Sequence, residues 1–230
     1  MRPFAAVQPL MRRVNNEDRW DFVGSCFRLW SPNQYITAAH CIQDAKPDQL
    51  KVFNVFPNGD FRCKNILRHP AADIAVIQIE GNVPKEYERF SITDKCDFGY
   101  PIHCFGYADD RMLTLCADNA RVIGGIIQRQ FVYNDGTYIS PAFELSAPIP
   151  KGTSGGPAFL ADDPQFAIGV AIASIQSQIV VSQLEYHEEN GHCEKETISE
   201  ITRYGVILNF GAKNIKAWLE DNLGGGKNNV

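Results

Sequence analysis

The chain has 230 residues and a mass of 25.7 kDa, with 44% hydrophobic and 21% charged residues, the proportions of an ordinary globular protein rather than a disordered or fibrous one. Its formal net charge of -5 and its scattered Lys and Arg, densest at Arg12–Arg13, give no reason to expect a nucleic-acid or anionic-membrane partner. No apolar run reaches the roughly 20 residues that a bilayer span needs.

The N-terminal segment carries Arg2, Arg12 and Arg13 but no apolar run of the secretory kind, so the chain is expected to be non-secreted and cytoplasmic. Seven cysteines (Cys26, Cys41, Cys63, Cys96, Cys104, Cys116 and Cys193) cannot all pair within one chain, and no Cys-x-x-Cys occurs. In that pattern they are expected to be small buried hydrophobes in a reducing compartment.

Along the chain, short apolar runs rich in Val, Ile and Phe are divided by Gly, Pro, Asn and Asp. They are Gln34–Thr37, Leu50–Phe56, Ile74–Ile79, Ile102–Tyr107, Arg121–Ile127, Phe131–Tyr133, Phe143–Ala147, Phe166–Ser174 and Tyr204–Leu208. This spacing predicts an all-β architecture, two small barrels in sequence. Pro84–Lys95 is polar and lacks periodicity, so it is the expected linker, with the first barrel within 1–90 and the second within 91–210. Ile215, Trp218, Leu219 and Leu223 form one apolar stripe and Gly224–Gly226 stops it. That pattern predicts a helix within 211–223 and a frayed tail over 224–230.

Three local motifs bear on chemistry. Tyr35-Ile-Thr-Ala-Ala-His40-Cys41 runs a strand into a turn holding a histidine; alone, such a histidine is usually structural. His69-Pro70-Ala-Ala-Asp73-Ile places an aspartate at the mouth of an apolar strand, where burial is costly unless the charge is paired; alone, it reads as a turn residue. Lys151-Gly152-Thr153-Ser154-Gly155-Gly156-Pro157 is the most specific of the three. Glycines on both sides of Ser154 let backbone N–H groups converge on one point, as an oxyanion site requires; the plainer reading is a Gly-rich hairpin turn. The same residues fit the Gly-x-Ser-x-Gly elbow of α/β-hydrolases, but that elbow needs a following helix, then an acid and a histidine. Gly155-Gly156-Pro157 is a poor helix start, and His187 and His192 lie in a polar stretch.

Together, Thr37-Ala-Ala-His40-Cys41, Asp73-Ile-Ala-Val and Gly152-x-Ser154-Gly-Gly-Pro157 resemble the three signatures of the chymotrypsin/trypsin-like serine peptidase clan, in that clan's order, within a span from Phe22 to Leu223. Gly24-Ser-Cys26-Phe27 up to His40 is most similar to the compact bacterial high-temperature-requirement proteases, with Cys26 in a glycine's place. The resemblance implies a single peptidase domain of two six-stranded antiparallel β-barrels with a C-terminal helix. It implies a serine endopeptidase acting on polypeptides through an acyl-enzyme, with no metal or organic cofactor. Ser154 is then the nucleophile, His40 its base and Asp73 the group orienting that base, with the N–H groups of Gly152 and Ser154 as oxyanion hole. A catalytically inactive homologue that binds peptides is the alternative, and a serine esterase a weaker one.

The sequence departs from the family in four places. Zymogen-type members carry an aspartate where Thr153 stands, so activation by an inserted N-terminus is not expected. Cys26 and Cys41 occupy the region of a conserved family disulfide, yet the glycine match of Cys26 favours two free thiols. Members selecting Arg or Lys carry an acid six residues before the serine, where this chain has Pro148; Glu144 or an acid within 185–200 is the available substitute. With Ile172, Ala173 and Ser174 as one substrate-binding wall and Gly205–Ile207 opposite, a small, mainly apolar pocket is implied. Ile175–Tyr204 is longer than usual and holds His187, Glu188, Glu189, His192, Cys193, Glu194 and Glu196. The five-residue His spacing does not suit a helical zinc site, so the run is expected as a lid or specificity loop open to a regulatory protein partner.

Overall fold

A computed structural model describes residues 3–14, 19–29, 33–54, 59–81, 89–109, 119–187 and 193–223. The expected tail (224–230), residues 84–88 of the expected linker, Cys116, Glu188, Glu189 and His192 lie outside the described residues.

Six strands build the first unit: β1 (Val7–Arg13), β2 (Trp20–Arg28), β3 (Gln34–Thr37), β4 (Leu50–Asn54), β5 (Gly59–Arg68) and β6 (Ala75–Ile79). They close an antiparallel barrel in the order β1-β2-β3-β6-β5-β4. Leu10, Phe27, Ile36, Leu50, Val52 and Ile77 are buried in it; each such side chain removed from water stabilises the fold by about 1.5–3 kcal/mol. The runs at 34–37, 50–56 and 74–79 correspond to β3, β4 and β6. No expected run covers β1, β2 or β5: Pro9 and Arg12 interrupt β1, while the alternation of β5 over Asp60–Lys64 has only Phe61 and Cys63 as its apolar half.

The second unit is a seven-stranded sheet of β7 (Ser91–Ile92), β8 (Pro101–Tyr107), β9 (Ala120–Asn134), β10 (Ile139–Leu145), β11 (Pro157–Leu160), β12 (Phe166–His187) and β13 (Cys193–Asn209), ordered β11-β8-β9-β10-β13-β12-β7. β11 also pairs with β12, so six of these strands return on themselves while β7 adds in parallel to β12. The runs at 121–127 and 131–133 belong to one strand, β9, whose middle residues Gln128, Arg129 and Gln130 are polar, with Gln128–Gln130 exposed.

The stretch Ile175–Tyr204, expected as a loop, is instead a two-stranded arm. β12 and β13 stay in register from Gly169↔Asn209 to His187↔Cys193, with bulges between Ala171 and Ala173 and between Val180 and Ser182. A pattern reading misses it because the arm leaves the barrel: with solvent on both faces, polar and apolar residues need not alternate.

The two units share one core. Phe27 of β2 meets Phe90 edge-on at 5.6 Å and Phe210 at 6.4 Å. Helix α1 (Lys213–Leu223) buries the expected Ile215, Leu219 and Leu223. Its Trp218 stacks edge-on against His69 at 5.3 Å, and Gln34 of β3 donates to the carbonyl of Asn222. Among the described residues, no helix is long and apolar enough to cross a membrane.

Candidate active site

His40 sits in a 3-10 turn (Ala39–Ile42) that follows β3, anchored by buried Ala39, Cys41 and Ile42 while its own side chain is partly open to solvent. Asp73 lies just before β6 and is 1% exposed. An isolated carboxylate there would be untenable, and both oxygens are used: Oδ1 accepts the His40 backbone N–H at 2.8 Å and Oδ2 lies 2.6 Å from His40 Nδ1. The Asp73 N–H is itself held by the hydroxyl of fully buried Ser140 on β10, at 2.9 Å. His69 fixes the preceding turn, its Nδ1 accepting from the N–H groups of Ala71 and Ala72. Burial lowers the His69 pKa, which keeps that nitrogen free to accept.

Ser154 lies in the turn before β11. Gly152 and Gly155 adopt φ of 89° and 87°, a region open to glycine at little cost. A side chain on Gly155 would also run into the Ser25 carbonyl and the Thr37 hydroxyl. The turn is pinned to the first barrel through Ser25 of β2. Its N–H donates to the Ser154 carbonyl at 2.8 Å, its hydroxyl donates to the Gly152 carbonyl at 3.1 Å, and its carbonyl accepts from Thr37. Among the described residues, no hydrogen bond takes up the N–H of Gly152 or of Ser154.

His40 and Ser154 share a cleft of about 830 Å³ with Cys41, Gly152, Met11, Trp20, Phe22, Val23 and the charged Arg19, Asp21, Asp109 and Lys151. The His40 ring and the Ser154 hydroxyl are not hydrogen-bonded to each other. Nε2 faces Cys41 Sγ at 3.6 Å, and the hydroxyl donates a long 3.5 Å bond to the Ile172 carbonyl. Burial lowers the His40 pKa, but hydrogen bonds to Asp73 and Cys41 and the charges of both outweigh it, so the net shift is upward.

Cys26 and Cys41 are free thiols. Cys26 Sγ turns toward the Gln8 carbonyl on β1, whereas Cys41 Sγ turns toward His40 and the Ser154 carbonyl. Thr153 is fully buried. Ile172, Ala173 and Ser174 lie on β12 and Pro148 in the loop after β10, and none of them lines the cleft. Their region is zipped shut: the Ser174 hydroxyl accepts the Ile149 N–H at 2.7 Å and donates to the Ile149 carbonyl at 2.9 Å. Glu144 is committed to Arg129, 2.6 Å away on β9. Among the described residues, no group of three or more His, Cys, Asp or Glu is placed to hold a metal ion.

Ser25 and Ser140 are the positioning residues that motif reading passes over. Ser25 stands inside the Gly24-Ser-Cys26-Phe27 segment, so its motif carried a signal. Ser140 reaches Asp73 from 67 residues away and carried none.

No curated protein sequence matches the chain, while solved structures do. One is the active form of the Rv3671c protease from M. tuberculosis (TM-score 0.64, 14% identity, 94% of this chain and 80% of that one). A second is the HtrA-type protease AlgW with a decapeptide (0.62, 16%, 95% and 64%). A third is the apo MamO protease domain from Magnetospirillum magneticum (0.59, 14%, 90% and 92%). At these identities the likeness establishes the chymotrypsin-like fold. A model of the trypsin-like peptidase domain matches residues 24–170, which span His40, Asp73 and Ser154, and the chain belongs to that family.

Proposed function

We propose that this protein is a serine endopeptidase that hydrolyses polypeptides through Ser154, His40 and Asp73. The observation that carries the reading is the 2.6 Å contact between His40 Nδ1 and the buried carboxylate of Asp73, in a cleft that also holds Ser154. A carboxylate on Nδ1 fixes the tautomer that leaves Nε2 as proton acceptor and stabilises the imidazolium formed later. Movement of the Cys41 thiol off Nε2, with rotation of the Ser154 hydroxyl from the Ile172 carbonyl toward that nitrogen, completes the array. His40 then takes the hydroxyl proton as Oγ bonds to the scissile carbonyl carbon, and the N–H groups of Gly152 and Ser154 hold the resulting oxyanion. The proton passes to the leaving amine as the C–N bond breaks, and water repeats the sequence to release the acyl group. Ile172, Ala173, Ser174 and Pro148 would bind substrate once the Ser174–Ile149 zipper opens. No step calls for a cofactor.

One observation favours a second reading, an inactive homologue that only binds peptides: Nε2 faces a thiol rather than Ser154. A fluorophosphonate probe separates the two. Labelling and casein cleavage, both lost in Ser154→Ala, are expected; a chain that never labels, or whose cleavage survives that substitution, overturns the proposal.

A further inference from the structure

Every backbone N–H between His69 and Ile74, the loop that carries Asp73, has a partner. The His69 N–H closes the loop on the Ile74 carbonyl at 3.0 Å, and the Ile74 N–H turns back to the Ala72 carbonyl at 2.8 Å. Pro70 has no N–H to place, and that of Asp73 goes to Ser140. The remaining two, of Ala71 and Ala72, converge on His69 Nδ1 at 3.1 and 2.8 Å. A ring nitrogen that accepts N–H groups is bare, so the ring proton sits on Nε2. His69 therefore spans the loop twice, once through its backbone and once through its ring. The buried ring is met from outside the loop by Trp218, edge-on at 5.3 Å and 70°. Trp218 belongs to α1, which Ile215, Leu219 and Leu223 anchor in the core. The end of the same helix accepts from Gln34 of β3, the strand that leads to His40.

We propose that His69 is a positioning residue for Asp73 and that Trp218 holds its imidazole in place, so that the C-terminal helix sets the acid of the candidate site. The inference deepens the peptidase reading and rests on Asp73 orienting His40. On its far side the loop is gripped by β10, through the Ile139 N–H on the Ala71 carbonyl and through Ser140. The loop is thus clamped between β10 and the His69–Trp218 pair, and loss of either grip lets it turn about the other. Without the ring acceptor, two adjacent N–H groups lose their partner, one of them on fully buried Ala72. Leaving such a group unpaired is costly, so the loop shifts until both are satisfied. Asp73 shifts with it, and its two short bonds to the His40 N–H and Nδ1 cannot both survive the move. A misplacement of about 1 Å at a reacting group can cost a hundredfold in rate. Asparagine sets an acceptor oxygen where histidine has Nδ1, whereas glutamine carries its amide one bond further and leaves that place empty.

The test compares His69→Asn with His69→Gln, and Trp218→Phe with Trp218→Ala, in the full chain and below the Tm of each variant. One readout is the far-downfield NMR resonance of the proton between His40 Nδ1 and Asp73 Oδ2; the other is kcat against KM with casein. In His69→Gln and Trp218→Ala the resonance is expected to move or broaden. Their kcat should fall about ten- to a hundredfold, with KM little changed. Asparagine at 69 and phenylalanine at 218 should recover most of both. A merely structural role would lower Tm and leave the resonance and kcat of the folded variants at their native values. That outcome overturns the inference, as do equal losses in His69→Asn and His69→Gln. Trp218→Ala keeps the Nδ1 acceptor and so remains a test if His69→Gln does not fold; a native resonance there removes the helix from the chain of contacts. The resonance needs no turnover. If it responds as expected in a chain that cleaves nothing, the peptidase reading fails alone.

Discussion

The Cys41 thiol stands 3.6 Å from Nε2 of His40 and 3.6 Å from the Ser154 carbonyl, at the nitrogen that the proposed mechanism reserves for the Ser154 hydroxyl. Its hydrogen bond and charge are among the influences that raise the His40 pKa. Cys41→Ala should free Nε2 and lower that pKa, moving the rising limb of kcat/KM to lower pH and increasing activity at neutral pH. A pH–rate profile of the two proteins decides it, and superimposable limbs would remove Cys41 from the site's electrostatics.

On the proposed mechanism, turnover needs neutral His40, and a raised pKa postpones that state. The rising limb of kcat/KM is therefore expected above the ordinary imidazole value of 6.5. Stability has the opposite dependence. The folded state holds this proton more tightly than the unfolded chain, so the contribution is complete below about pH 6.5 and lost as pH climbs through the raised value. Tm should fall across that interval in the native chain and less in His40→Ala. Equal pH slopes for both proteins would contradict the shift.

Most of the candidate site was legible because it is local. His40, Asp73 and Ser154 each sit in a short motif whose backbone demands appear as specific residue types. Gly155 is the clearest case, with its positive φ and its carbonyl neighbour Ser25. Strands β1 and β5 slipped from view for different reasons: Pro9 and Arg12 break up β1, while the alternation of β5 rests on Phe61 and Cys63 alone. The arm was read as a loop because its residues answer to solvent on both faces. The closure of the pocket region was also hidden. It depends on the Ser174 hydroxyl meeting the Ile149 backbone, 25 residues distant in sequence, a contact no motif encodes.

Gly155→Ala tests the serine turn. A side chain there would take up a strained positive φ and press on the Ser25 carbonyl and Thr37 hydroxyl, both in the first barrel. Backbone strain of this kind costs about 1–3 kcal/mol, and relief by moving the turn would break the Ser25–Ser154 bond. Lower Tm together with lost fluorophosphonate labelling is the expected outcome. A variant of native stability that labels normally would mean the turn is not held as described.

Ser140→Ala tests how Asp73 is placed. The substitution leaves the buried Asp73 N–H without its hydroxyl acceptor, a loss worth about 1–3 kcal/mol. The carboxylate and the imidazole remain, so kcat should drop much less than in Asp73→Asn, for which the triad template suggests about 10⁴. Ser140→Thr, which keeps a hydroxyl, should recover part of the loss. If Ser140→Ala changes KM alone, the residue does not position Asp73.

The last prediction is that activity needs no freed N-terminus. Insertion of a new ammonium works only where an acid waits beside the nucleophile. Here that neighbour is Thr153, fully buried, with its methyl group against Gly106 and its hydroxyl without a hydrogen-bond partner among the described residues. A cation entering this place would be buried and unpaired, at a cost of several kcal/mol. The segment that would have to move is also engaged: Val7–Arg13 pairs with both β2 and β4, and the Tyr107 hydroxyl donates to the Val7 carbonyl. Release of that strand would open the first barrel. The serine turn has its own anchor in Ser25, which ties Gly152 and Ser154 to β2 without help from a chain end. Protein carrying a folded tag fused before Met1 should therefore label with the fluorophosphonate probe at the same rate as untagged protein. If labelling appears only after proteolysis within residues 1–24, the anchor is insufficient and a maturation step controls the site.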